Sequence, residues 1–265
     1  MKRIFSAIIL IPASLLVVIY ATPLFYLIGI GLIGTVCLYE YFGLMHAMDF
    51  HVRPWFGYGI FWILLITLYC DSLLFSPALA LILVAAFISA SWRRRLTIRD
   101  RMSGVMADFF GVLYITLCFY PALPIRFEFS DGLHWTLLAL LVIWGGDTFA
   151  LVIGKKFGKN PFAPVLSPNK TKEGALAGLL AGIGIAVALQ WFLFNELPLG
   201  HVIAVSILLG IFGQLGDLAE SMIKRAAGIK DSSNLIPGHG GVLDRMDSLL
   251  FSFPLLYAYL LLIYS

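Results

Sequence analysis

Charged and polar side chains gather between Ser221 and Asp247, in a chain that is otherwise largely apolar. These 27 residues hold four cations, three carboxylates and a histidine. Ionisable groups at membrane depth are costly, so a dense cluster between two apolar segments predicts a functional site. Lys and Arg side chains next to Asp indicate that this site binds phosphates and a divalent metal ion.

Several carboxylates are expected to share one depth. Asp147 lies seven residues before the end of an apolar run and Asp217 lies seven before Lys224, which places each about 10 Å inside a helix end. Asp244 and Asp247 are three residues apart, so they share a helical face near a helix N-terminus. Clustered carboxylates repel one another unless a cation lies among them. We therefore expect Asp217, Asp244 and Asp247 to bind Mg²⁺, and a second cation is left open.

Cationic and glycine-rich segments flank these carboxylates. Lys224, Arg225 and Lys230 follow one apolar segment, and His239 lies in the loop 237–241, whose glycines permit close backbone approach to a ligand. Such turns leading into a helix can donate N–H groups to phosphate oxygens. A second polar segment, 167–174, is also basic and hydroxylic, although a merely solvated loop would look similar.

The composition is that of a polytopic membrane protein. Apolar residues make up 60% and charged residues 12% of the chain, against about 25% charged residues in soluble domains. Runs of about 17–25 apolar residues predict transmembrane helices. We expect an all-α polytopic integral membrane helix bundle of about nine such helices, with eight to ten allowed. The expected spans are 4–20, 24–45, 55–70, 72–91, 104–124, 135–154, 174–194, 199–223 and 248–264.

The basic residues predict the orientation. With nine spans, 17 of the 18 Lys and Arg residues fall on one side, with Arg126 the exception. That side is expected to be cytoplasmic, so the N-terminus is cytoplasmic and the C-terminus external. The net charge of +3 follows from these loops and does not indicate nucleic-acid binding. We expect one integral domain, residues 1–265, with a transmembrane scaffold at 1–125 and a catalytic part at 126–265 that carries inner loops 155–173 and 224–247.

The segment from Ser221 to Asp247 resembles the signature of the phosphatidate cytidylyltransferases, the CDP-diacylglycerol synthases. The pattern is S-x-x-K-R-x₄-K-D-x-S-x₂-I-P-x-H-G-G-x₂-D-R-x-D, and every fixed position is filled. Segments 144–150, 167–174 and 216–221 add to this resemblance, which covers about residues 135–260. Before residue 130 the chain is similar only in hydropathy. One departure is Leu151, where the family tends to carry Tyr.

The resemblance implies that phosphatidate and CTP react to give CDP-diacylglycerol and pyrophosphate in a Mg²⁺-dependent transfer at a bacterial inner membrane, with the active site facing the cytoplasm. Partners are thus CTP, phosphatidate and the bilayer, and a homodimer is left open. The implied catalytic residues are Asp217, Lys224, His239, Asp244 and Asp247. The implied substrate-binding residues are Asp147, Lys170, Thr171, Ser221, Lys224, Arg225, Lys230, Asp231, His239, Gly240, Gly241 and Arg245.

Other functions fit the residues less well. Intramembrane carboxylates also occur in secondary transporters, but these commonly have symmetric halves, whereas the polar residues here gather in one half. A CTP-dependent polyprenol or phytol kinase would also need a metal and a nucleotide loop, and label transfer distinguishes it. A carboxylate can also simply tie two helices together. We expect that structural role for Asp108.

Overall fold

The computed structural model describes residues 2–193, 198–236, 238 and 240–264, without the side chains of residues 2–10 and 193. Within these residues the chain forms helices joined by short turns and one small hairpin. The helices are α1 Lys2–Tyr20, α2 Pro23–Ala47, α3 Pro54–Cys70, α4 Phe75–Ser91, α5 Ile98–Phe119, α6 Ala122–Phe127, α7 Gly132–Phe157, α8 Lys172–Leu193, α9 Leu199–Ala226 and α10 Leu243–Ile263. A 3₁₀ turn, Ser72–Leu74, precedes α4.

The all-α membrane architecture is confirmed. Seven of the described helical segments are long and apolar enough to cross a membrane, and two shorter apolar segments, Ile11–Tyr20 and Pro54–Cys70, lie where the first and third spans are expected. The number of spans and the orientation of the termini stay predictions. One expected span, 104–124, is divided into α5 and α6 near Pro121, because proline lacks the N–H that an uninterrupted helix needs.

Part of the expected inner loop 155–173 is a β-hairpin. Strand β1, Pro161–Ala163, pairs antiparallel with β2, Ser167–Thr171. Glu173, in the first turn of α8, accepts hydrogen bonds from the backbone N–H groups of Lys159 and Asn160 and from the Asn160 side chain. The hairpin is therefore fixed to the start of α8 and is not a freely solvated loop.

Helices α7 and α8 approach each other closely through glycines. A Cβ atom on Gly178 would lie 2.8 Å from the carbonyl oxygen of Gly146, and one on Gly174 would lie 3.0 Å from Cα of Gly154. The two glycines on α7 are eight residues apart and the two on α8 are four residues apart. Small residues at such spacings lie on one face of a helix and let membrane helices pack backbone to backbone. This packing brings the part of α7 around Asp147 into contact with α8.

The N-terminal helices contain a buried ion pair. Asp108 on α5 is fully buried and accepts hydrogen bonds from the backbone N–H and from Nε of Arg53, at 2.9 and 2.8 Å. The Arg53 guanidinium also lies 4.5 Å from the ring centre of Phe56. Asp108 thus has the structural role that we expected, and Arg53, counted above as a loop cation, is its partner.

Candidate functional site

Carboxylates from three helices lie within electrostatic range of one another at the end of the bundle that carries the hairpin, referred to below as the loop end. Asp247 on α10 interacts electrostatically with Asp217 and Glu220 on α9 and with Asp147 on α7. Asp247 is buried, Glu220 is fully buried, Asp217 is half-buried and Asp147 is exposed. These interactions support the expectation that Asp147, Asp217 and Asp247 lie near one another, and they add Glu220 to the group.

A glycine allows α9 and α10 to meet at this point. A Cβ atom on Gly216 would lie only 2.4 Å from the backbone oxygen of Asp247. No side chain larger than hydrogen fits between these two segments unless the helices move apart. Gly216 thereby sets the distance between Asp217, the next residue on α9, and Asp247.

The hairpin supplies a cation to the carboxylates. Nζ of Lys170 on β2 lies 2.6 Å from Oδ2 of Asp217, and both side chains keep about a third of their surface accessible (28% and 33%). Oδ1 of Asp217 accepts a hydrogen bond from the Ser221 hydroxyl, at 3.3 Å. Asp147 interacts electrostatically with Lys170, with Asp217 and with Arg245. Two sequence segments that are 47 residues apart are thus joined in one charged site.

Lys224 is buried between two carboxylates. Its ammonium lies 2.8 Å from Oε2 of Glu220 and 2.5 Å from Oδ1 of Asp244. An ammonium has three protons, so at least two are directed at protein groups. Lys224 thus joins the end of α9 to the start of α10, and direct contact with a triphosphate stays a prediction.

The loop before α10 surrounds the other oxygen of Asp244. Oδ2 accepts hydrogen bonds from the backbone N–H groups of Gly241 (2.7 Å) and Ser232 (3.0 Å), and the Ser232 hydroxyl lies 2.9 Å away. Gly240 has a φ of +83°, in the region that favours glycine, and a Cβ there would lie 2.8 Å from Oδ2 of Asp244. The glycines of this loop therefore wrap the backbone around a carboxylate of the chain itself.

A carboxylate from the N-terminal half also accepts hydrogen bonds from this loop. Glu40 on α2 is 1% exposed and accepts hydrogen bonds from the N–H groups of Val242 and Leu243, at 2.9 and 2.6 Å. The hydroxyls of Ser232 and Ser233 also donate to it. The sequence patterns did not identify Glu40, although an ionisable residue inside an apolar span is a signal that could have found it. Glu220 was likewise missed, although it is four residues before Lys224.

The remaining predicted residues lie around this centre. The Thr171 hydroxyl accepts from the N–H of Gly174 at the start of α8, and Nε of Arg225 donates to the carbonyl of Leu166 in the hairpin. Both contacts hold the hairpin in place. Lys230, Asp231 and Arg245 are exposed at the loop end. His239, predicted as a catalytic and substrate-binding residue, lies outside the described residues. Leu151 is exposed on α7, and as a leucine it offers no hydroxyl at this position.

The predicted metal ligands fit a hard cation only in part. Among the described residues, no group of three or more His, Cys, Asp or Glu side chains is arranged to hold a metal ion. Asp244 has the least room for a cation, because its two oxygens accept from four donor groups, on Lys224, Ser232 and Gly241, whereas Asp217 accepts from two, on Lys170 and Ser221. Metal binding by Asp244 stays a prediction. Asp217 and Asp247 do fit in their chemistry and charge. Oε1 of the neighbouring Glu220 is buried and has no donor within the described residues, which also favours a cation here.

A small cavity lies beside Asp147, between α7, α8 and α9. Its volume is about 20 Å³, and it is lined among others by Gly146, Gly178, Gly213 and Gln214. This volume has room for about one water molecule. This cavity is therefore too small for a nucleotide.

The fold and the site define an integral membrane helix bundle that concentrates carboxylates and lysines at one end. A comparison with protein families extends this class: the cytidylyltransferase family matches residues 1–263, and the chain belongs to that family.

Named bacterial proteins show the same similarity. A phosphatidate cytidylyltransferase of Staphylococcus haemolyticus is 44% identical over 160 residues, which is 60% of this chain and 60% of that protein. Proteins of the same name from Staphylococcus aureus and Bacillus subtilis are 46% identical over 127 residues and 41% identical over 155 residues. These alignments cover 48% and 58% of this chain, and 49% and 57% of the respective proteins. The chain thus spans about half to three fifths of the length of these relatives.

Proposed function

We propose that the protein transfers the cytidylyl group of CTP to phosphatidate, giving CDP-diacylglycerol and pyrophosphate. The observation that carries this proposal is the Lys170–Asp217 pair, which joins the hairpin to the acidic cluster at one end of a membrane bundle. Family membership and the names of the relatives support the reaction class. Both substrates are anionic, so their approach requires cations, which the lysine and arginine side chains supply and which a metal held by the carboxylates would also supply.

In the proposed reaction a phosphate oxygen of phosphatidate attacks the α-phosphorus of CTP. The new P–O bond forms as the bond between the α-phosphorus and the bridging oxygen breaks, and pyrophosphate leaves with that electron pair. Phosphatidate is already anionic near pH 7, so the attack needs no general base. Positioning of the two phosphates and neutralisation of their charge carry most of the catalysis.

The exposed cations are the groups available to the substrates. Lys170 lies at the edge of the acidic cluster, and Lys230 and Arg245 are exposed at the loop end. We assign these three to the triphosphate and to the lipid phosphate. His239 keeps its predicted role in the same loop. Thr171, Arg225, Gly240 and Gly241 hold the hairpin and the loop in shape around the site.

We assign Mg²⁺ to Asp217 and Asp247, with Asp147 and Glu220 in electrostatic range. A bound Mg²⁺ would supply charge neutralisation on phosphate oxygens and orient them. Asp244 instead positions Lys224 and the loop before α10. A second cation and a homodimer stay open predictions.

The proposal also places the site relative to the membrane. The phosphate of phosphatidate lies at a bilayer surface, and the acidic cluster lies near the helix ends at the loop end, within reach of that surface. The positive-inside pattern supports a site on the cytoplasmic side of a bacterial plasma membrane, the side from which CTP would arrive.

Product identification tests the function. Purified protein in lipid nanodiscs is given phosphatidate and Mg²⁺ with CTP labelled at the α-phosphate or, in a parallel sample, at the γ-phosphate. The expected result is α-label in a lipid that co-migrates with CDP-diacylglycerol, and γ-label in pyrophosphate. Transfer of γ-label to a polyprenol or phytol would favour the kinase alternative, and an unlabelled lipid fraction in both samples would reject both reactions.

A further inference from the structure

We propose that Glu40, on α2, is a positioning residue for the site: it holds residues 232–233 and 241–242 and the first turn of α10 in the arrangement that the reaction needs. The inference rests on the proposed function for its kinetic part. Its structural part depends only on contacts that the described residues make.

Glu40 is committed to donors on both oxygens. Oε1 accepts from the N–H of Val242 and the hydroxyl of Ser233, and Oε2 accepts from the N–H of Leu243 and the hydroxyl of Ser232. The side chain is buried, and these donors are 192 to 203 residues away in sequence. A carboxylate with four converging donors in an otherwise apolar helix is arranged for a specific partner.

The partner is the N-terminus of α10. The first N–H groups of a helix have no acceptor within the helix, and the helix dipole favours negative charge at this end. Val242, the residue that precedes α10, makes no side-chain capping hydrogen bond to the helix. Glu40, from a different helix, therefore acts as the cap. The same α10 carries Asp244 in its first turn and Asp247 one turn further on.

Gly241 makes this contact possible. A Cβ atom there would lie 2.5 Å from Oε2 of Glu40 and closer still to the hydroxyl of Ser232. The loop backbone is therefore pressed directly against the Glu40 carboxylate. Any side chain at this position would push the loop away from α2.

The loop residues that contact Glu40 also contact Asp244 in the charged site. The Ser232 hydroxyl lies within hydrogen-bonding distance of both Glu40 and Asp244, and its single proton can be donated to only one of them at a time. Gly241, pressed against Glu40, donates its N–H to Asp244. Asp244 in turn holds Lys224. Glu40 is thus connected through Ser232 and Gly241 to Asp244 and the charged site, without being one of its exposed groups.

The substitution Glu40→Gln tests this role, because it keeps the size of the side chain. Each oxygen of Glu40 accepts a backbone N–H, so the NH₂ of a glutamine must face one of these donors. We expect kcat to fall at least tenfold, with the KM for CTP changed less than threefold. Backbone amide exchange at Val242 and Leu243 should become at least tenfold faster, and this second measurement does not depend on which reaction the protein catalyses.

Asp108→Asn is the matched control, because it also replaces a buried carboxylate that pairs with an N–H and a side chain in the N-terminal half. It should lower the unfolding temperature in detergent without changing kcat of the folded protein or exchange at residues 242 and 243.

If Glu40→Gln does not fold, Ser233→Ala removes a single donor and should give a smaller fall in kcat, with faster exchange in the same segment. Wild-type exchange and kcat in Glu40→Gln, or in Ser233→Ala where it is the variant used, would overturn the proposal. The proposal would also be overturned if Asp108→Asn lost as much kcat as the Glu40 or Ser233 variant while the two proteins were equally stable. A wild type without cytidylyl transfer would reject the proposed function and leave the exchange comparison as the test of Glu40.

Discussion

Lys224 on α9 donates to Oδ1 of Asp244 on α10 over 2.5 Å, and both side chains are buried. The two residues belong to the charged segment whose pattern suggests metal and phosphate binding. In the structure they form a buried ion pair, shared with Glu220, that connects two helices. A buried pair of this kind has most of its effect on stability when one partner is removed, because the other charge is then left buried and unpaired.

The two signature lysines should therefore respond differently to substitution. Lys224→Ala leaves Glu220 and Asp244 without their cation, at a cost of about 3–5 kcal/mol. We expect a lower unfolding temperature, by roughly 10 °C, together with lost activity. Lys230→Ala removes an exposed cation and should keep the unfolding temperature while raising the KM for CTP about tenfold, or about 1.4 kcal/mol.

Thermal unfolding in detergent and CTP titration measure the two effects. A stable Lys224→Ala protein with only a raised KM would show that Lys224 contacts the nucleotide directly. Unchanged kinetics in Lys230→Ala would leave Lys230 as a topology signal near lipid headgroups.

Lys170 is expected to act on the substrate. Its pair with Asp217 is partly exposed, so the pair contributes at most about 1 kcal/mol to stability. Lys170→Met should lower kcat/KM for CTP by about 10- to 100-fold, or roughly 1.4–2.8 kcal/mol, with little change in unfolding temperature. Lys172→Met is the control, because Lys172 is an exposed lysine two residues further along the chain. If both variants have the same activity, the hairpin cation does not take part.

The acidic cluster predicts a metal requirement. Asp247→Asn and Asp217→Asn keep the size of the side chain and remove a charged oxygen from the cluster. Either change should lower the rate at least 10³-fold, about 4 kcal/mol of transition-state stabilisation. EDTA should abolish wild-type activity, and added Mg²⁺ should restore it.

Asp244→Asn gives a contrasting variant within the same helix turn. It should lose activity together with stability, because Lys224 loses its partner. A folded Asp217→Asn or Asp247→Asn protein with near-normal turnover, or turnover that is insensitive to chelator, would contradict the metal assignment.

The orientation of the termini is a separate prediction. A reporter fused after residue 265 should be external, and one inserted near Lys159 should be cytoplasmic, because 17 cations lie on the side of Lys159. Accessibility to membrane-impermeant labels in intact cells measures both positions. Reporters on the same side of the membrane would be incompatible with nine spans.

The helices could largely be predicted from the sequence because their apolar runs are long and bounded by Lys, Arg, Pro or Gly. The bounds agree to within three residues for the expected span 24–45, which is α2 at Pro23–Ala47, and for 199–223, which is α9 at Leu199–Ala226. Hydrophobic periodicity carries no information on a five-residue polar strand that contains a proline. For this reason the hairpin, with β2 at Ser167–Thr171, was not expected.

The site was predictable in its membership and less so in its contacts. Spacing along the helices predicted a common depth for Asp147, Asp217, Asp244 and Asp247, and the family resemblance implied Lys170 as a substrate-binding residue. Spacing does not show which carboxylates accept backbone N–H groups, as Asp244 does from Gly241 and Ser232. Glu40 was missed because its partners are about 200 residues away, and such a contact depends on which helices pack together.

The close approach of α9 and α10 gives a last prediction. A Cβ on Gly216 would collide with the backbone oxygen of Asp247, and backbone cannot move aside as a flexible side chain can. Gly216→Ala should therefore separate the helices, cost about 1–3 kcal/mol of stability and lower kcat, since Asp217 and Asp247 move apart. In Gly184→Ala on α8 the added methyl meets nothing within 4 Å, and this control should be neutral or more stable by up to about 1 kcal/mol. Unfolding temperature and kcat measured on both variants decide the matter: if Gly216→Ala behaves like Gly184→Ala, the spacing of these two helices does not limit the reaction.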